Sequence, residues 1–496
     1  MKSIQEMLEI GNSFDIINVK FFDGEKVLHA TRICVRDGWI TEVITTPSAK
    51  NDNVREIEGA GKFLMPSLID YEGHFSTPND MMLGLVSSKN PFVREQLSKL
   101  MEKGELYEID THGLNLYRGI NPSCMGEKNN IPPSANFEKH IRFGVTTVID
   151  QAAYPWPANY IRRSRNKWKE SDPIDLRKEF LIYADLYTSG MWATPVGLNF
   201  GYFGMDPVYD HWSEKDYASW VERRMAESSD HIKVFYEAWG NPTAPRISLA
   251  GLKAITKAAH ARDLKVIVHD GVALDDLIDA KVDGSIHTPE NPNGGAIEME
   301  AAQRFAKTVR VVTPTMSISL SRTNIPVSIA AASIAKDFLT AETLPYMNAL
   351  DELRLRGGDR VAANPNVHLT YFETVAKLCD AGALLTLGSD SGTFGPFIEG
   401  LTLHHEMFLI SEAIKMFSKK DPIIEALKAG TSNPAIAYEL DLGSKVGDPR
   451  GFIRPGYRAD LLLLNADPTV DIKNTMKIDS VFKAGYLANR KVVRTL

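Results

Sequence analysis

The chain has 496 residues, of which 44% are hydrophobic and 24% charged, and a formal net charge of -7. That length exceeds one ordinary core, so two or three domains are expected, and the composition is that of a soluble globular protein. The negative balance gives no reason to expect nucleic acid or an anionic membrane as partner, and no apolar run approaches the roughly 20 residues that span a bilayer. Cys34, Cys124 and Cys379 stand far apart and fit neither a disulfide framework nor a cysteine-based zinc pattern. Together with the mixed, acidic start MKSIQEMLEIGNSFD, which lacks a basic-then-apolar leader, they predict a reducing, cytoplasmic setting.

The first residues read as short strands. Asp15–Lys20, Ala30–Val35 and Trp39–Ile44 are β-rich runs, separated by the tight-turn pairs Asp23-Gly24 and Asp37-Gly38. The far end has the same character in Asp460–Asn465, Ile478–Lys483 and Lys491–Arg494. Two β-segments bracketing a long middle predict one small sandwich built from both termini, 1–65 with 441–496.

Between them, strands alternate with helices. Leu68–Tyr71, Val145–Asp150, Phe180–Asp185, Ile232–Phe235, Val266–His269, Gly284–His287, Val309–Thr315 and Ala383–Gly388 read as eight strands. Amphipathic helices are expected near Leu249–Ala261, Leu274–Ala280 and Glu298–Ala306. Strand–helix alternation predicts a parallel sheet, and eight repeats predict a (β/α)8 TIM barrel over 66–440. A doubly wound open sheet is the other parallel arrangement, but the glycine-rich phosphate loop it would carry after the first strand is absent.

The strand ends carry the chemistry. The first gives Glu72 and His74, two apart and therefore on one side of a strand. The fourth gives Lys233, the fifth His269, the sixth His287 and the eighth Asp390. Singly, each has an ordinary explanation: a surface salt pair, satisfied strand-end histidines, a surface lysine. In a barrel they converge on the C-terminal mouth, and imidazoles with carboxylates are what zinc and similar divalent ions require. Such an ion acidifies a bound water and polarises a carbonyl, which suits hydrolysis. Asp390 is the candidate base that takes the proton of that water and returns it to the leaving group. His112, His140, His211, His260 and His368 have no partners in sequence and are read as structural. His404, His405 and Glu406, on a helical stretch after the eighth strand, are read as packing or supporting groups.

Pro66–Asp70, Ile232-Lys233, Val266–His269, Ser285–His287, Leu387–Asp390 and Gly456–Leu461 together resemble the amidohydrolase superfamily, in particular the branch of imidazolonepropionase and metal-dependent Xaa-Pro dipeptidases. The resemblance runs in order through nearly the whole chain. It implies one or two divalent metals, most often zinc, bound by Glu72, His74, Lys233, His269, His287 and Asp390. It also implies that Lys233 is carboxylated and bridges the metals if the site is binuclear, and that the enzyme forms a homo-oligomer. The family's usual first-strand pattern is His-x-His; here Glu72 replaces the first histidine. An oxygen-rich site favouring manganese, a mononuclear site on His269 and His287, or a lyase (decarboxylase or dehydrating cyclase) with Glu72 as ligand or acid/base are the alternatives this opens. Hydrolysis of an amide or cyclic C–N bond remains the expectation.

Aromatic residues crowd the connections after the second, third and fourth strands. Tyr154, Trp156, Trp192, Tyr202 and Trp239 are predicted to line a loop-borne pocket for an apolar or aromatic small molecule. Tyr236 is a candidate for polarising a substrate carbonyl.

Overall fold

The structure, a computed structural model, describes residues 11–47, 54–74, 107–111, 114–118, 140–152, 181, 183–196, 205–236, 245–269, 274–289, 291, 294–317, 367–391, 400–442 and 448–488. Strands β1 (Phe14–Phe22), β2 (Val27–Arg36), β3 (Trp39–Ile44), β4 (Glu56–Glu58) and β5 (Phe63–Pro66) come from the N-terminal part. β6 (Leu68–Gly73) follows at once, and β7 (Tyr107–Thr111) pairs with β8 (Leu114–Arg118) as a separate hairpin. The middle of the chain supplies β9 (Val145–Asp150), β10 (Asp185–Thr188), β11 (Trp192–Pro195), β12 (Met205–Val208), β13 (Ile232–Phe235), β14 (Val266–His269), β15 (Gly284–Ile286), β16 (Val311–Thr313) and β17 (Leu384–Leu385). β18 (Leu461–Leu464), β19 (Ile478–Lys483) and β20 (Tyr486–Leu487) close the described chain.

The two termini meet in one eight-stranded sheet of order β20-β19-β18-β5-β1-β2-β3, with β4 beside β1. β18 is a run of four leucines because both its faces are covered. Leu461 and Leu463 join Phe14, Ile16, Phe21 and Phe482 in the sheet's own cluster. Leu462 and Leu464, one residue out of phase, join the main core. This is the period-two alternation of a strand with apolar layers on both sides.

The parallel strands form two arcs, β10-β9-β6 and β12-β11-β13-β14-β15-β16-β17. Individual backbone bonds link residues of the smaller arc to segments next to the larger one. Tyr71 N–H donates to Leu387 O at 2.8 Å and Asp390 N–H to Glu72 O at 2.9 Å, while Asp230 N–H donates to Thr188 O at 2.7 Å. Helices α1 (Glu214–Ala226), α2 (Leu249–His260), α3 (Leu274–Ala280), α4 (Met299–Thr308) and α5 (Val367–Asp380) each precede a strand of the larger arc, and α6 (Leu401–Phe417), α7 (Pro422–Gly430) and α8 (Ser432–Ala437) follow β17. Their starts are chemically marked. Ser213 and Asp216 cap α1 reciprocally, and the Ser248 side chain accepts from Gly251 N at the start of α2.

Strand residues alternate between two hydrophobic layers. Val148, Val234, Val266 and Val268 pack with helix residues Leu252, Ile255, Phe305 and Val375. Ile149, Ile267 and Ile286 turn to the other side with Ile69, Tyr71 and Tyr187. Burial on both faces is why these strands read as β-branched runs. Among the described residues no helix is long and apolar enough to cross a membrane.

Two strand expectations need correction. The third strand of the sequence reading, Phe180–Asp185, lies further on, at Asp185–Thr188. The start of the presumed aromatic loop is a strand: β11 pairs in parallel with β13 at Ala193 and Val234 and with β12 along its length. Pairing across the sheet overrides the local glycines and proline that suggest a loop.

At the strand starts sits a buried ionic cluster. Asp185 pairs with Arg450, Arg458 and Lys483, each at 2.7 Å. Arg458 also pairs with Asp460, and Lys483 Nζ donates to Tyr183 O at 2.8 Å. Burial alone would raise the Asp185 carboxyl, but Arg458, Lys483 and Arg450 outweigh it and hold it far below the carboxylate range. The C-terminal segment is thereby tied to the first residue of β10.

Candidate metal centre

At the opposite, C-terminal ends of the strands, six potential ligands gather. The end of β6 is fixed first. Asp70 Oδ1 accepts from Glu72 N at 3.1 Å and from Ser389 N at 3.0 Å, and its Oδ2 accepts from Ser389 Oγ at 2.6 Å. This carboxylate locks the strand that carries Glu72 and His74 to the segment that carries Asp390. Gly388 permits the close approach: a Cβ there would lie 2.5 Å from Thr313 Cγ2 and 2.8 Å from Glu72 Cβ.

Glu72 is fully buried, and neither of its oxygens has a hydrogen-bond partner among the described residues. Lys233 Nζ is likewise buried without one and stands 4.0 Å from Glu72 Oε1. His74 Nε2 lies 3.2 Å from Asp390 Oδ1 and, beyond hydrogen-bond length, 3.7 Å from Glu72 Oε1. His287 Nε2 and His269 Nδ1 face each other at 3.2 Å. Leaving buried carboxylate oxygens and an amine unpaired costs several kcal/mol on general grounds. A cation between them would satisfy the carboxylates and the imidazole lone pairs at once, so the donors fit a divalent metal.

Two groups of three have ligand atoms within 4.8 Å of one another: Glu72, His74 and Asp390, and Glu72, His269 and His287. Glu72 belongs to both. The charges act on each other strongly. Burial, then the Asp390 carboxylate, push Glu72 up to about 7 against the pull of His74 and Lys233. Burial works against a charged His74, yet Asp390 and Glu72 hold it up at about 9. Burial brings Lys233 down to about 8, opposed by Glu72, Asp390 and Asp150. Burial would raise Asp390, but the His74 bond and the charges of His287 and His74 take it below its ordinary value. Asp390, His287 and Thr315 hold positive φ values of 47°, 73° and 43°, a left-handed backbone that non-glycine residues adopt at a cost.

Two residues support this centre: Thr315, which the sequence reading passed over, and Glu406, which it read as a packing or supporting group. Thr315 Oγ1 meets His287 Nδ1 at 2.5 Å, which orients the ring and leaves Nε2 for a ligand. Glu406, on α6, accepts from Met316 N at 2.9 Å and from Ser317 N, and so clamps the segment carrying Thr315. His405 Nδ1 meets Ser317 Oγ at 3.1 Å in the same cluster. Local patterning does not mark Thr315; its position after Pro314 at the seventh strand end is the only signal.

Trp192 is buried beside the centre, its ring 6.3 Å from that of His74, 6.2 Å from His269 and 5.4 Å from Phe235. Phe235 stacks on His269 at 4.7 Å. Trp192 therefore stands at the site as a strand residue and not on a loop. Tyr236 is not brought into the cluster. It shares the outer apolar layer with Ile232 and Val234, and its hydroxyl donates to Asp276 Oδ2 at 2.7 Å. Period two sets it opposite Lys233 and Phe235. Tyr154, Trp156, Tyr202 and Trp239 lie outside the described residues.

With this geometry in place, residues 136–488 match the sequence model of the amidohydrolase family. The chain belongs to the amidohydrolase family. This amidohydrolase matches no curated protein, but it is similar to several solved structures. A Xaa-Pro dipeptidase with bound methionine is 17% identical with a TM-score of 0.63, covering 96% of this chain and 99% of that one. A molinate hydrolase is 17% identical with a TM-score of 0.64, covering 98% and 97%. The A. niger ochratoxinase is 16% identical with a TM-score of 0.60, covering 96% of each. At these identities the likeness establishes the fold.

Proposed function

We propose that this amidohydrolase is a metal-dependent hydrolase that cleaves an amide or cyclic C–N bond of a small, apolar or aromatic substrate. The observation that carries this reading is the meeting of Glu72, Lys233, His269, His287, His74 and Asp390, with both Glu72 oxygens and the Lys233 amine lacking hydrogen-bond partners among the described residues. Its catalytic unit is taken as a closed (β/α)8 barrel over 66–440, with the terminal β-sandwich from 1–65 and 441–496. Residues Glu72, His74 and Asp390 would hold one divalent ion, zinc or manganese. His269, His287 and a carboxylated Lys233 would hold a second.

A divalent ion supplies Lewis acidity that makes water nucleophilic near neutral pH and polarises the scissile carbonyl. Asp390 takes the proton of the attacking water and delivers it to the leaving nitrogen. Asp70, through Ser389, keeps Asp390 and Glu72 in register during that transfer. Trp192 and Phe235 give the pocket an apolar wall beside the histidines, which favours an aryl or alkyl group next to the scissile bond. Tyr154, Trp156, Tyr202 and Trp239, following strands that end at the same mouth, are proposed to extend that wall. Tyr236 has no part in the proposal, since Asp276 engages its hydroxyl. The names of the solved structures of the same fold, a dipeptidase, a molinate hydrolase and an ochratoxinase, support a hydrolase.

The test is a panel of N-acyl, aryl-amide and lactam substrates with zinc or manganese in oxygen-18 water. Label in the carboxyl product and a preference for aryl over small polar amides are expected. Turnover without label would replace hydrolysis by the lyase reaction that Glu72 opens.

A further inference from the structure

The two groups of potential ligands are not independent. Glu72 is the residue common to both, and both of its oxygens are buried without a hydrogen-bond partner among the described residues. A histidine at position 72 would present one lone pair to one ion. A carboxylate has two oxygens and about four acceptor positions, and can serve two cations at once. Glu72, at the end of β6, has ligand atoms within 4.8 Å of His74 and Asp390 and also of His269 and His287. Gly388 lets the eighth strand end approach it closely, since a Cβ there would lie 2.8 Å from Glu72 Cβ. Asp70 fixes its backbone from the other direction, accepting from Glu72 N at 3.1 Å.

We propose that Glu72 is a bridging ligand that joins the two metal subsites, so that in this chain the first strand serves both ions. The inference rests on the metal-dependent reading above and goes further in one respect: it makes the first-strand substitution a coupling device. Each ion then owes part of its affinity to the same side chain. His74 and Asp390 belong to one subsite only, and His269 and His287 to the other. The carboxylate also adds hard oxygen character to both positions, which suits manganese(II) better than an all-imidazole first strand would.

The test uses the full chain, stripped with chelator and titrated with manganese(II) alone, with bound metal counted by elemental analysis and each step's affinity by calorimetry. Wild type should take up two ions. His74→Ala should weaken one step and His269→Ala the other, and Glu72→Gln should weaken both by at least about tenfold. If Glu72→Gln weakens a single step and leaves the other at the wild-type value, the bridge is refuted while the metal-dependent reading stands. A wild type that takes up only one ion refutes the bridge in the same way. A wild type that binds none refutes both. Should Glu72→Gln not fold, Glu72→His decides. It returns one donor to the His74 side, so only the step lost in His269→Ala should weaken; no change in either step overturns the proposal.

Discussion

The parallel strands carry a buried polar cluster at each end, and the two are built on opposite rules. At the strand starts, Asp185 is surrounded by Arg450, Arg458 and Lys483 at 2.7 Å each, with Asp460 adding a second carboxylate on Arg458. At the strand ends, Glu72 and Lys233 are just as deeply buried, yet among the described residues they have no hydrogen-bond partners and approach only to 4.0 Å. One cluster is finished by the protein itself. The other, among the described residues, is left with unanswered donors and acceptors that an added cation would fit. Burial is therefore a poor guide to function; whether a buried charge is answered from within the chain is a better one.

The most damaging way to break the comparison is Asp185→Asn. It strands three buried cations, and loss of roughly 3–5 kcal/mol of unfolding free energy is expected in urea titrations. A change below about 1 kcal/mol would mean that the cluster is not the clamp its geometry suggests.

Acidity separates the two ends next. Glu406 supports the site end, and burial raises its carboxyl to about 7 against the hydrogen bonds from Ser317 and Met316. Its folded state holds the proton more tightly than the unfolded one. The resulting stabilisation is complete below about 4.5 and is lost as pH rises through about 7. Asp185 has the opposite sign: held far below 3.8, it contributes stability above that value and keeps it until pH falls through its much lower folded pKa. Glu406→Gln should therefore remove on the order of 3 kcal/mol from the decline in stability between pH 4.5 and 7.5, measured without metal. Asp185→Asn should leave the shape of that decline unchanged.

Metal addition sharpens the contrast. Manganese(II) at about 100 times its Kd should stabilise wild type by about 2.7 kcal/mol for each ion bound. The same increment is expected in Asp185→Asn and a smaller one in Glu72→Gln, as thermal scans with and without metal would show. The smallest effect belongs to Thr315→Val. It removes the partner of His287 Nδ1 and should weaken the His269–His287 subsite by about tenfold, with the other subsite unchanged in the manganese titration.

Much of the site is legible in the sequence because strands end in it. Glu72, His74, Lys233, His269, His287 and Asp390 stand at the ends of apolar runs whose period fixes the side each residue faces. What escapes is what depends on partners distant in sequence. The third strand is misplaced because it begins at Asp185, and no local rule allows a strand to start on a buried carboxylate; Arg450, Arg458 and Lys483 allow it. Trp192 reads as loop because the strand it starts pairs with β13 through Ala193 and Val234, which are remote in sequence. Thr315 reads as an ordinary hydroxyl because nothing near it in sequence mentions His287. Tyr236 reads as a site residue from its nearness to Lys233, and the period two that sets Lys233 and Phe235 on one side places it on the other layer.

The four-leucine strand β18 has a consequence for how the chain is made. β5 pairs with it residue by residue, Phe63 to Leu464 and Pro66 to Leu461, although about 400 residues separate the two in synthesis. Until the last part of the chain leaves the ribosome, the N-terminal strands carry an open, apolar edge, and the underside of the catalytic unit lacks Leu462 and Leu464. A nascent chain of this protein is thus an aggregation hazard for most of its translation.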